Sequence, residues 1–166
     1  MKALIFSDSH GRDTAMKAAI AEHESNIDLC IHLGDGTREF LFLSEKYPNI
    51  PFFYVHGNGE DAFAKGPDAQ TVLDLDGYRI FLTHGHKYGV KGGTGNLIYK
   101  GMEEECDVIL YGHTHLRDNR YIPSDDRKPL YIFNPGSITS PHLGDRASYG
   151  IMELTRSGIM FNHIKL

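Results

Sequence analysis

Seven residues in this 166-residue sequence are of types that bind hard or borderline divalent ions: Asp8, His10, Asp35, Asn58, His84, His113 and His115. They occur in five similar places, each an apolar run followed by a polar residue beside or near glycine. These are Phe6-Ser7-Asp8-Ser9-His10, Leu33-Gly34-Asp35-Gly36, Val55-His56-Gly57-Asn58-Gly59, Leu82-Thr83-His84-Gly85-His86 and Tyr111-Gly112-His113-Thr114-His115. Carboxylate, amide oxygen and imidazole, with no thiolate, suit Mn, Fe, Zn, Ni or Mg rather than a cysteine-rich structural zinc. Asp-x-His and His-x-His each set two ligands on the same side of an extended segment. The set is larger than one ion needs. Two metals about 3.5–4 Å apart, sharing a bridging carboxylate, would use all of it, and that geometry serves in-line displacement at phosphorus.

Taken singly, each of these residues has an ordinary explanation. Asp8 after a strand reads equally as a helix cap, and Gly34-Asp35-Gly36 and Gly57-Asn58-Gly59 read as plain turns. Their conjunction at successive strand ends favours the metal reading. His32 and His56 lie inside strand-like segments and are expected to pack or support the site. His23, His142 and His163 are expected at the surface or in packing. Gly93-x-Gly95 lacks the third glycine and the context of a dinucleotide site, and is read instead as part of a mobile loop near the pocket. Ser137 has no G-x-S-x-G surroundings and is not read as a nucleophile.

The elements that must position these groups follow from periodicity. Ala3–Phe6 is a buried strand. Asp13 is placed to cap a helix whose apolar residues Met16, Ala19 and Ile20 recur at helical spacing. A strand over Asp28–Leu33, a helix over Arg38–Lys46 and a strand over Phe52–Val55 complete an alternating pattern that implies a parallel sheet. Val72–Leu75 and Tyr78–Thr83 flank Asp76-Gly77, a hairpin signal. A helix from Asn96 to Glu105 precedes a strand over Val108–Tyr111. Shorter strands are expected near Asp118–Ile122, Leu130–Phe133, Ser148–Leu154 and Ile159–Lys165. Half the strand pairing should be parallel and half antiparallel, with ligands gathered outside the carboxyl ends of the strands. No linker or repeat interrupts the chain, which reads as a single domain over 1–166.

In this order, Asp8-Ser9-His10, Gly34-Asp35-Gly36, Gly57-Asn58, His84-Gly85-His86 and Gly112-His113-Thr114-His115 resemble the calcineurin-like metallophosphoesterase superfamily. Short length and Asn134-Pro135-Gly136-Ser137 make the chain most similar to its small microbial phosphodiesterase branch. The resemblance runs from about Met1 to Ser137, and the motifs are specific as an ordered set. It implies an α/β four-layer αββα sandwich of two mixed sheets flanked by helices. It also implies that Asp8, His10, Asp35 and His115 hold one metal, while Asp35, Asn58, His84 and His113 hold the other. Asp35 would bridge, and a bridging water, losing its proton near pH 7, would attack phosphorus. Asn58 would steady the transition state, and His86 would line the pocket or orient a neighbour. Manganese is the first expectation for the metal, with Ni, Fe, Zn or Mg as alternatives.

The sequence departs from this resemblance at Gly59. Relatives that hydrolyse monoesters efficiently carry His there, as general acid to the leaving group. Such a donor contributes about 10²–10⁴-fold, least for leaving groups that need no proton, so the departure points to phosphodiesters or activated esters. Glu60, Asp61, His86 or a metal-bound water could stand in.

Bulk properties bound the partners. The net charge is −5 with no basic stripe, which argues against nucleic acid. Cys30 and Cys106 belong to no motif, which suggests a reducing compartment. The first residues are too short for a signal-peptide core and no run approaches membrane-spanning length, so a cytoplasmic protein is expected. A small phosphoester is the expected substrate; a homo-oligomer stays open. The rivals are a phosphomonoesterase, a nuclease, or a non-catalytic scaffold of the same fold. Scaffolds lose ligands, whereas all seven matching positions here carry usable side chains.

Overall fold

A computed structural model of the chain describes residues 1–60 and 69–166. Its elements run β1 (Lys2–Phe6), α1 (Thr14–His23), β2 (Leu29–His32), α2 (Thr37–Ser44), β3 (Phe52–Tyr54), β4 (Gln70–Leu75), β5 (Tyr78–Thr83), α3 (Gly95–Glu103), β6 (Val108–Tyr111), β7 (Arg117–Ile122), β8 (Leu130–Pro135), β9 (Ser148–Thr155) and β10 (Gly158–Lys165). One sheet has the order β10-β9-β1-β2-β3 and the other β4-β5-β6-β8-β7. In the first, β1–β2 and β2–β3 are parallel while β1–β9 and β9–β10 are antiparallel. In the second, β5–β6 and β6–β8 are parallel while β4–β5 and β7–β8 are antiparallel.

Alternation along the strands builds the layers. In β1, Ala3 and Ile5 face an interior shared with the second sheet, whereas Leu4 and Phe6 meet the helices α1 and α2. In β5 and β6, Ile80, Leu82, Val108 and Leu110 enter that same interior, and Phe81, Ile109 and Tyr111 turn outward to Leu97 of α3. The period of two in a strand thus sends successive apolar residues to two different cores. This explains why the strands read as continuous apolar runs, since both faces are covered. The result is the expected αββα sandwich of two mixed sheets.

Local signals hold with one correction. The hairpin between β4 and β5 turns on Asp76 and Gly77, both at positive φ (53° and 83°), as a primed turn demands. Asp13 does occupy the position before α1, but its side chain makes no cap bond. Its backbone is already helical there (φ −94°, ψ −16°), whereas a capping residue needs the extended region. Cys30 and Cys106 are both free and buried, in separate cores. Burial pushes their thiols up, Cys30 to about 12 and Cys106 to about 11.

Candidate metal centre

The parallel strands β1, β2 and β3 of one sheet, and β5 and β6 of the other, all end toward the loops that carry the seven expected ligands. Among the described residues, seven non-glycine residues adopt positive φ, and five of them are Asp8, His10, Asp35, His113 and His115 (φ 56°, 48°, 56°, 69° and 59°). Each costs on the order of 1–3 kcal/mol of local strain, which persists only when surrounding structure enforces it. The enforcement is visible. Asp8 N–H donates to Gly34 O (3.1 Å) and His10 N–H to Asp35 O (2.8 Å), tying the first two turns together. From the segment after β8, Ser137 Oγ and Thr139 Oγ1 donate to Asp8 O at 2.8 and 3.1 Å. Asn134 Nδ2 donates to Gly112 O and to Thr114 Oγ1, both at 3.1 Å, and so steadies the turn that presents His113 and His115.

Two groups of ligand atoms emerge. Asp8, His10 and His115 each offer one within 4.8 Å of the others, and so do Asp8, Asp35 and His84. Both groups contain Asp8; Asp35, the expected bridge, lies in the second. The imidazoles sort into two pairs. His10 Nε2 lies 3.4 Å from His115 Nε2, and His113 Nδ1 lies 3.1 Å from His84 Nε2. Two nitrogens bound to one ion at about 2.1 Å each stand roughly 3.0–3.4 Å apart. Asn58 is exposed on the loop after β3, between Gly57 and Gly59. Glycine at 57 is required by closeness, since a Cβ there would stand 2.0 Å from Asp35 Oδ1.

Asp8 Oδ1 is the decisive atom. It is buried and accepts no hydrogen bond, although Nε2 of His115, His84 and His10 surround it at 3.1, 3.9 and 4.0 Å. Oδ2 of the same carboxylate is satisfied, by Ser7 Oγ at 2.6 Å and His113 N–H at 3.1 Å. Leaving a buried carboxylate oxygen bare is costly, and a cation at that point removes the cost. The histidines are prepared for one. His84 Nδ1 donates to Leu33 O (2.7 Å) and His115 Nδ1 to Ser140 O (2.6 Å). In the neutral rings this leaves each Nε2 a lone pair aimed at Asp8, the arrangement second-neighbour carbonyls impose on metal ligands. Donor set and orientation fit divalent ions.

Titration follows the same geometry. Burial would raise the Asp8 carboxyl, but His115 and His84 together hold it below the usual carboxylate range. Burial likewise works against Asp35, yet His84 and the Gly59 N–H hold it below the usual range as well. His84 goes up because the two carboxylates outweigh its burial. Half-buried His113 falls to about 4 through burial and the positive groups of His84 and Lys91.

His86 packs beside the second pair, its ring centroid 5.5 Å from His84 and 6.1 Å from His113. Glu60 differs from expectation. Its carboxylate accepts N–H groups of Asp35, Gly36, Thr37 and Gly57. Burial raises its proton affinity, but these donors hold it below the usual range. It is therefore ionised near neutral pH and cannot donate a proton. Asp61 falls outside the described residues. His32 and His163 do pack: His32 is buried against Phe40, and His163 stacks on Phe133 with Nε2 donating to Asn134 O. Thr139 and the Ser140 carbonyl escaped the sequence reading. A main-chain oxygen has no signature in residue type, and Thr139 stands outside every ligand motif.

Beside the ligands lies a cavity of about 490 Å³ lined by Val90, Lys91, His113, Thr114, His115, Leu116 and His142. Lys91 is its permanent cation.

The family model of the calcineurin-like phosphoesterase superfamily domain matches residues 1–157. A probable metallophosphoesterase of Bacillus subtilis, YsnB, is 35% identical over 93% of this chain and 85% of its own. A crystal structure of a predicted phosphoesterase from Streptococcus pneumoniae superposes with a TM-score of 0.81 at 26% identity, covering 99% of this chain and 88% of that one. An archaeal phosphodiesterase superposes with a TM-score of 0.72 at 25% identity, over 100% of both chains. The chain belongs to the calcineurin-like phosphoesterase superfamily of metal-dependent phosphoester hydrolases.

Proposed function

We propose that the chain hydrolyses phosphodiesters at a pair of divalent ions, with manganese the first candidate. Asp8, His10, Asp35 and His115 would hold one ion, and Asp35, Asn58, His84 and His113 the other. The observation that carries this reading is Asp8 Oδ1, a buried carboxylate oxygen without a donor, facing three imidazole nitrogens. Similarity to an archaeal phosphodiesterase supports the substrate class. When bound, such ions supply a water made nucleophilic near neutral pH and positive charge for the phosphoryl oxygens.

The chain's own residues do the rest. Asn58, exposed on its loop, can donate its amide N–H to a phosphoryl oxygen, and Lys91 gives the adjoining cavity a positive wall for an anionic ester. Among the described residues of this loop, none supplies the leaving group with a proton. Gly59 has no side chain, and its N–H is spent on Asp35 Oδ1 at 2.9 Å. Aryl and other stable leaving groups are therefore favoured. Assay of aryl mono- and diesters with Mn²⁺ tests this: diesters should turn over faster, and preferential monoester turnover would overturn it.

Free, buried Cys30 and Cys106 support a reducing, cytoplasmic setting. Among the described residues no helix is long and apolar enough to cross a membrane.

A further inference from the structure

The loop that bears Asn58 is anchored in a way the ligand motifs do not suggest. Glu60 N–H donates to Gly57 O at 3.1 Å, closing a turn with Asn58 and Gly59 at its apex. The Glu60 side chain then leaves this turn and reaches the next loop. Its Oε1 accepts Gly36 N–H (2.7 Å), Thr37 N–H (2.6 Å) and Thr37 Oγ1–H (2.8 Å). Its Oε2 accepts Asp35 N–H (3.1 Å) and Gly57 N–H (2.8 Å).

All of these donors but Gly57 N–H lie at the start of α2, whose preceding residue is Gly36 and brings no side-chain cap. The unpaired N–H groups of a helix start attract an anion, and here the anion comes from a distant loop. The apex is pinned a second time, by Gly59 N–H on Asp35 Oδ1. Asp35 and Asn58 arrive on different loops, and one carboxylate holds both in register.

Resting on the two-metal reading above, we propose that Glu60 is a positioning residue: its carboxylate latches the Asn58 loop to the Asp35 turn and thereby assembles the ion site that these two residues share. Glutamine cannot replace it. Either its amide N–H₂ faces Asp35 and Gly57 N–H groups, or it faces Gly36 and Thr37; donor meets donor in both orientations. Glycine empties the cradle and leaves it open to a small carboxylate.

The test uses the full chain as wild type, Glu60→Gln and Glu60→Gly, each loaded with Mn²⁺. Bound Mn²⁺, kcat, KM and amide hydrogen exchange are read for all three. Glu60→Gln should lose one of two bound ions and on the order of 10²-fold in kcat, with faster exchange at Gly36 and Thr37. In Glu60→Gly, added acetate or formate should restore part of kcat, and restore nothing in wild type or in Glu60→Gln. Glu60→Gln carries the test if the glycine variant unfolds. Two ions and unchanged kcat in Glu60→Gln would overturn the proposal. So would unchanged metal content with one limb of the pH–kcat profile lost, the mark of a proton donor. A wild type that binds no Mn²⁺ or cleaves no diester contradicts the two-metal reading itself, whatever Glu60 does.

Discussion

His32 shows how a single side chain beneath the centre is committed to one protonation state. It is fully buried. Its Nδ1 accepts Gly34 N–H at 3.1 Å, so its Nε2–H donates to Ser9 Oγ at 3.0 Å, and Ser9 in turn donates to Glu39 at 2.6 Å. Only the neutral ring satisfies this chain. Burial pushes its pKa down from 6.5 to about 4 despite nearby carboxylates. The unfolded chain takes up a proton below pH 6.5 that the folded chain refuses, so stability is unaffected above 6.5 and falls as pH drops from 6.5 to 4. At 1.36 kcal/mol per unit the loss is about 3 kcal/mol. Denaturant titrations between pH 7 and 4 should show this fall in wild type. His32→Asn should start less stable and lose less over that interval; an equal loss would mean that His32 does not titrate as described.

At the scale of elements, the centre depends on loops held where they would not rest by themselves. Five expected ligands sit at positive φ, and their turns are fastened by hydrogen bonds from neighbouring loops and from the segment after β8. Gly57→Ala probes this directly, since its Cβ would stand 2.0 Å from Asp35 Oδ1 and 2.5 Å from the Asp35 backbone nitrogen. Displacing Asp35 by an ångström should cost on the order of 10²-fold in activity, while circular dichroism stays native-like because the sheets are untouched. Unchanged kinetics would mean that Asp35 need not stand where it does. The strands themselves were legible beforehand: runs such as Ala3–Phe6 and Val108–Tyr111 are apolar because both their faces are covered. The candidate ligands stood out because each follows such a run. The contacts of Glu60 were not legible, because four of its five donors are backbone N–H groups that look alike in every residue. Asp13 misled for the converse reason: its type suits a cap, while its backbone is already helical.

Across the whole molecule, the sandwich brings the carboxyl ends of parallel strands from both sheets to one edge. Residues as distant in sequence as Asp8 and His115 thereby meet at 3.1 Å. Strand order could not be read from local pattern, since the pairing of β1 with β9 joins opposite ends of the chain. The two histidine pairs meet at the Asp8 carboxylate, which makes Asp8 the residue on which both halves of the centre depend. Asp8→Asn keeps the shape and removes the charge, and bound manganese per chain, measured with diester turnover on the same loaded samples, is the direct test. Two ions in wild type, with metal loss and turnover near background in Asp8→Asn, is the predicted result; two ions and full turnover in Asp8→Asn would contradict it.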